Sequence, residues 1–171
     1  MDLQTHLQMW DQMRTRHGIT LRVIEQIPGD KLTSHPIPGM RTPAELVVHM
    51  YATIQQLAEA VPAGAIGESR EKAVAEGIRT REQLLLFVHD AWAAGDKLAN
   101  QVTEAQLNGL VKTPWGEPFP GFAMFGFLSD EYLHHRGQLY AFVRALGIEP
   151  VMLWDLDHNA PEFRPRALAK H

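Results

Sequence analysis

Apolar residues recur along this chain at intervals of three and four, the spacing that places them on one face of an α-helix, and they do so in four separate stretches. Leu3, Leu7, Trp10, Met13, His17, Leu21, Ile24 and Ile27 mark the first, which stops at Pro28-Gly29. Gly18 lies inside that run and weakens the helix by about 1 kcal/mol without ending the pattern. The Pro- and Gly-rich segment from Gly29 to Arg41 reads as a loop, with His35 facing solvent. Thr42-Pro43-Ala44-Glu45 then has the form of a capping box, Thr42 as N-cap and Glu45 three residues on, so a second helix starts there. Its inward face is marked by Leu46, Met50, Thr53 and Leu57, with His49 at the edge, and it ends near Pro62-Ala63-Gly64.

A third helix is expected from about Glu71 to Val102, with Val74, Ile78, Leu85, Val88, Trp92 and Leu98 inside and its charged residues outside. Gly95, close to Trp92, suits a close helix approach or a local bend. Thr103 to Glu117 is a turn-rich connection, and Trp115 and Phe119 can cover one end of the helices or wall a pocket. The fourth helix runs from Gly121 to Gly147 along the seam Phe125, Leu128, Tyr132, His135, Leu139, Phe142 and Leu146. Gly147 closes it as a C′ residue, with Pro150 beyond. The remainder has no sustained periodicity and reads as a turn or short helix near Leu153-Trp154 followed by a mobile or edge-packed tail. The pattern is that of an all-α protein.

At 171 residues the chain is long enough to bury a full core. It has no cysteine, so any metal site must be built from histidine and carboxylate. A net charge of -4 with no basic stripe gives nucleic-acid binding no electrostatic support. The N-terminus lacks the basic and small-residue features of a signal peptide, and no apolar run approaches the ~20 residues of a membrane span. A soluble, cytoplasmic protein is expected.

The chemistry gathers on the fourth helix. His135 sits in its apolar seam, and Glu131, four residues earlier, lies on the same face. A carboxylate and an imidazole directed at a core need a partner, because an unpaired buried carboxylate costs several kcal/mol. A divalent metal supplies that charge, and His49 on the second helix is the best candidate for the further ligand it requires. His17 is read as a hydrogen-bonded core histidine in preference to a ligand. His89, His158 and His171 are read as ordinary residues.

The capped second helix with its PxxLVxH pattern, the long third helix and a fourth ending in HHRGQLYAFVRALGIEP together resemble the DinB/YfiT-like superfamily, over roughly Leu3 to Pro150. The resemblance implies a four-helix bundle over residues 1–150, often homodimeric, with residues 151–171 as an irregular C-terminal extension. It also implies a divalent metal, such as zinc, nickel or iron, held by three histidines. Two of these fall on His49 and His135, whereas the third falls on Glu131, giving a mixed set of two imidazoles and one carboxylate. Alternatively the exchange abolishes tight binding, and Glu131 is a proton-transfer group or pairs with a nearby cation such as Arg136 or Arg144. His134, rotated by ~100° from His135, is the competing ligand and is assigned an outer or groove role. Arg136, Gly137 and Gln138 follow the motif, Gly137 as a site of close packing and the other two as ordering groups. Relatives of this type include metal-dependent hydrolases and thiol-dependent transferases or isomerases, which implies a small-molecule substrate, a low-molecular-weight thiol among the options. A non-catalytic, stress-associated binding module with a degenerate site is the alternative.

Overall fold

Each long helix is started by the side chains its sequence supplies. Asp2 accepts from the Thr5 amide at the head of α1 (Leu3–Glu25), and Thr42 and Glu45 form a reciprocal capping box for α2 (Pro43–Ala63). Two further capping boxes lie downstream: Thr80 with Gln83 starts α4 (Arg81–Gln101), and Thr103 with Gln106 starts the short α5 (Glu104–Asn108). The last helix, α6 (Gly121–Ala145), ends two residues before Gly147, whose φ of 78° is one that L side chains rarely adopt. This computed structural model describes residues 1–166, and the expectations about His171 and the last part of the tail lie outside them.

The protein is mostly helical. α2 is its spine, packed against α4 on one side and α6 on the other, while α1 closes the core against α4 and α6. Val47, Val48, Tyr51 and Ile54 of α2 are fully removed from water, as are Leu84 and Val88 of α4 and Leu139, Phe142 and Val143 of α6. Gly95 permits the close approach of α4 to α2, because a methyl group there would stand 2.7 Å from Ile54 Cγ2. The only sheet among the described residues is a two-residue pairing of β1 (Leu110–Val111) with β2 (Phe119–Pro120), antiparallel, with Val111 opposite Phe119. It pins the connection between α5 and α6 over one end of α2. Among the described residues no helix is long and apolar enough to cross a membrane.

The expected single helix from Glu71 to Val102 is two. A seven-residue α3 (Glu71–Gly77) stops at Ile78, which is extended, and α4 begins afresh at Arg81. The cause is local: Gly77 disfavours helix, and Thr80 caps better than it propagates. The break frees α3 to fold back along α2, which places Glu71 over His49.

The segment after Pro150 packs on α1. Arg22 donates to the Asp155 carbonyl at 2.9 Å and its carboxylate at 2.5 Å, and buried Arg14 donates to the carbonyls of Glu162 and Arg164. Asn159, 1% exposed, donates to the Thr15 carbonyl at 3.0 Å. These side chains satisfy a backbone that forms no ladder of its own, which is why the segment carries no period. Gly18 is what lets it lie so close, since a Cβ there would stand 2.5 Å from Phe163 Cβ and 2.7 Å from the Asn159 amide nitrogen. Gly137 differs from its expected role, because nothing lies within 4 Å of where its Cβ would be.

Two glycine-to-alanine changes in helices therefore have opposite signs. Gly18→Ala is expected to destabilise the fold by about 1–3 kcal/mol through overpacking, despite its better helix propensity. Gly137→Ala is expected to gain up to about 1 kcal/mol by propensity alone. Urea unfolding of both variants measures the two shifts, and equal signs would contradict the assigned packing.

Candidate metal centre

His49 is the one histidine of α2, on a strip that neither α4 nor α1 covers. Thr53 and Gln56 follow it on that strip, four and seven residues on. Thr53 was expected inside with Leu46 and Met50. It lines a cleft instead, because the strip it shares with His49 is the one left open beside α6. Across from His49 stand Glu131 and His135 of α6, one turn apart. The Nε2 of His135 is 3.2 Å from Glu131 Oε2, the Nε2 of His49 is 3.6 Å from the same oxygen, and the two rings meet edge to face at 4.5 Å. One donor atom from each of His49, Glu131 and His135 lies within 4.8 Å of the others, a cluster that could hold a metal ion.

The other ring nitrogens are committed. His49 Nδ1 lies 2.8 Å from Glu71 Oε2, and His135 Nδ1 lies 2.8 Å from Gln138 Oε1. A carboxylate and an amide oxygen only accept, so each Nδ1 donates to its partner and each ring turns its Nε2 towards Glu131. The contacts of the two Nε2 atoms with Glu131 are bridged either by a proton or by a cation between the donors. The spacing suits one: bonds of about 2.0–2.1 Å in a tetrahedral site separate the donors by about 3.4 Å.

Glu131 differs from its expected setting in one respect. Its side chain is 50% exposed, at the mouth of the cleft rather than in the core, so its desolvation cost is modest. Neither alternative cation meets it. Arg136 is buried and donates to the Leu153 carbonyl, and Arg144 pairs with Glu149. His134 is exposed, its Nε2 taken by the Gln138 amide at 3.1 Å, and it stays outside the cluster. Glu71 was missed as a participant. It was assigned to the outer face of one long helix, and the Thr80-x-x-Gln83 cap was the signal that would have detached it.

A cleft of about 1000 Å³ opens from Glu131 towards the connection before α6. Leu57, Ile66, Trp115, Phe119 and Phe127 give it an apolar wall, and Thr53, Gln56 and Ser69 supply polar points. Exposed Trp115 thus serves as pocket wall, while Phe119 both walls the cleft and packs against the core. Behind the cluster Tyr51 and Tyr132 are fully buried, and burial holds the Tyr51 hydroxyl well above its usual pKa and raises that of Tyr132 to about 12. Both stay neutral phenols across the physiological range.

His17 is a core residue. It is fully buried, stacked on Trp92 at 4.0 Å, and its Nδ1 lies 2.8 Å from the Tyr51 hydroxyl. Burial, with a smaller contribution from His89, pushes its pKa well below the ordinary 6.5.

The sequence model of the DinB family matches residues 1–164. The chain belongs to the DinB family. Its fold is shared with the crystal structure of a DinB-like protein from Bacillus subtilis, at 21% identity and a TM-score of 0.68 over 81% of this chain and 92% of that one. A DinB-like protein from Bacillus cereus matches at 18% identity and a TM-score of 0.70, over 86% of this chain and 94% of that one. The mycothiol-dependent maleylpyruvate isomerase matches at 18% identity and a TM-score of 0.62, with 81% of this chain aligned to 61% of the isomerase. A comparison with curated proteins finds no match.

The buried His17 makes acid destabilising. Its folded-state pKa is depressed, so the unfolded chain takes up a proton that the folded chain refuses, and stability falls as pH drops below about 6.5, by up to about 1.4 kcal/mol per pH unit. Buried His6 is shifted in the same direction by burial. His17→Gln is expected to lose less stability than the parent between pH 7.5 and 5.5, as read by urea unfolding. An undiminished loss would show that His17 does not carry this dependence.

Proposed function

We propose that this protein is a divalent-metal-dependent enzyme built as a four-helix bundle and working as a homodimer on a small molecule held in the cleft beside Glu131. His49, Glu131 and His135 are the proposed ligands. The observation that carries the reading is the convergence of one donor atom each from His49, Glu131 and His135 within 4.8 Å, with both Nδ1 atoms held from behind by Glu71 and Gln138. When bound, the ion supplies Lewis acidity that makes a thiol or a water nucleophilic near neutral pH.

The chain's own residues do the rest. Glu71 and Gln138 hold the imidazoles in register and keep the lone pairs outward. Thr53 and Gln56 offer hydrogen bonds to a substrate's polar atoms, and Trp115, Phe119 and Phe127 exclude water from one side of it. Between the two reaction types, hydrolysis and thiol-dependent transfer or isomerisation, the fold shared with a mycothiol-dependent isomerase supports the thiol reading.

Metal analysis by mass spectrometry on protein purified without a histidine tag tests the site. About one ion per chain is expected in the parent and none in His49→Ala, Glu131→Ala or His135→Ala, with a lower melting temperature after chelation. A metal-free parent would end this reading and favour a degenerate binding module, and retention in Glu131→Ala would remove Glu131 from the ligand set. Glu71→Ala is expected to keep the fold and weaken cobalt(II) binding by about 10–100-fold, because it releases the His49 ring. Unchanged affinity would deny Glu71 its orienting role.

A further inference from the structure

The regular geometry of a helix puts a second set of residues on the opposite side of α6 from Glu131 and His135. Leu133, Arg136, Gly137, Tyr140 and Arg144 follow one another at steps of three, one, three and four, a single face. This face, with Arg16 of α1 and the segment from Glu149 to Trp154, encloses a cleft of about 730 Å³.

Arg136 is the feature without an explanation. It is 4% exposed, it gives one donor to the Leu153 carbonyl at 3.1 Å, and its buried Nε meets no acceptor. Among the described residues it forms no ion pair. Its guanidinium lies 5.6 Å from the centre of the Tyr140 ring, whose own buried hydroxyl is also unpartnered. A guanidinium cannot shed its proton, so a buried one without a counter-ion is costly. The surrounding charge does not supply that counter-ion. Arg16 and Arg144 are also basic, and the one acidic residue of the cleft, Glu149, is committed to Arg144 at 3.4 Å. The remainder of the wall is apolar and unusually open: Met152 is 67% exposed, Trp154 63% and Leu133 40%.

We propose that this cleft binds an amphiphilic anion, its carboxylate or phosphate head engaged by Arg136 and Arg16 and its apolar arm laid along Met152 and Trp154. The head supplies the missing counter-charge, and the arm covers surface that the protein otherwise leaves wet. The site is separate from the metal cluster, which shares none of its residues.

Titration calorimetry on the full chain with decanoate, decyl phosphate and decyltrimethylammonium, all below their micelle concentrations, tests this. Saturable uptake of one anion per chain is expected, with no uptake of the cation. Loss of a charge-assisted hydrogen bond should weaken binding about ten-fold or more in Arg136→Gln and in Arg16→Gln. His49→Ala should bind as the parent does, which separates this cleft from the one beside Glu131. The tighter of the two anions identifies the head group. Should Arg136→Gln fail to fold, Arg16→Gln carries the comparison. Equal uptake of the cation, no saturable uptake of either anion, or parental affinity in the folded arginine variants would overturn the proposal. So would a dimer, seen by sedimentation, that Trp154→Asp dissociates while decanoate does not bind, since the face would then belong to a second copy.

Discussion

The packing of α2 constrains everything else. α4 and α6 both bury it, and its polar side chains are confined to the side they leave open, where the strip of His49, Thr53 and Gln56 faces the cleft and Gln55 and Glu59 pair beside it. A strip of that kind on a central helix must open on a cleft, since polar groups set against α4 or α6 would have no partners. α6 meets the strip with its own polar pair, Glu131 and His135, one turn apart. The position of the site is therefore a consequence of how the spine is packed, and the loop carrying Trp115 and the turn of α3 carrying Glu71 only furnish its edges.

Much of this was legible in the periodicities. A stripe of apolar residues every three or four positions predicts a buried helix face whatever the tertiary context, and the ends of α1, α2 and α6 fall within three residues of their sequence signals. The pairing of His49 with Glu131 and His135 was legible too, because i,i+4 spacing fixes the last two and the family pattern supplies the first. What escaped was longer in range. Glu71 reads as an outer residue until the chain breaks at Ile78, and the break rests on a cap, Thr80 with Gln83, weaker than the apolar pattern running through it. The segment after Pro150 escaped for a different reason. Its order comes from Arg14, Arg22 and the space above Gly18, all on α1 and far away in sequence.

The reason for expecting a cation also changed between sequence and structure. A carboxylate in the apolar seam would need one to offset desolvation, but Glu131 is half exposed and needs no such relief. The need arises from the rings. Glu71 and Gln138 engage both Nδ1 atoms, which leaves the two Nε2 atoms to meet Glu131 through a proton or through a cation. The three-way convergence within 4.8 Å favours a single cation shared by all the donors.

The carboxylate also bears on which chemistry the proposed ion would support. With Glu131 as ligand and Glu71 behind His49, two negative charges face a divalent cation, and the site is close to neutral; three histidines would leave it with a surplus positive charge. A neutral site holds its ion firmly yet withdraws less electron density from whatever else binds there. Activating water near neutral pH means lowering its pKa from about 15.7 to about 7, whereas a thiol starts at about 8.5 and needs only a small fraction of that shift. A set of two imidazoles and one carboxylate nevertheless activates water in zinc proteases, so Glu131 as a ligand would be compatible with either nucleophile, and the smaller shift a thiol needs is the one physical point on the side of the thiol reading proposed above.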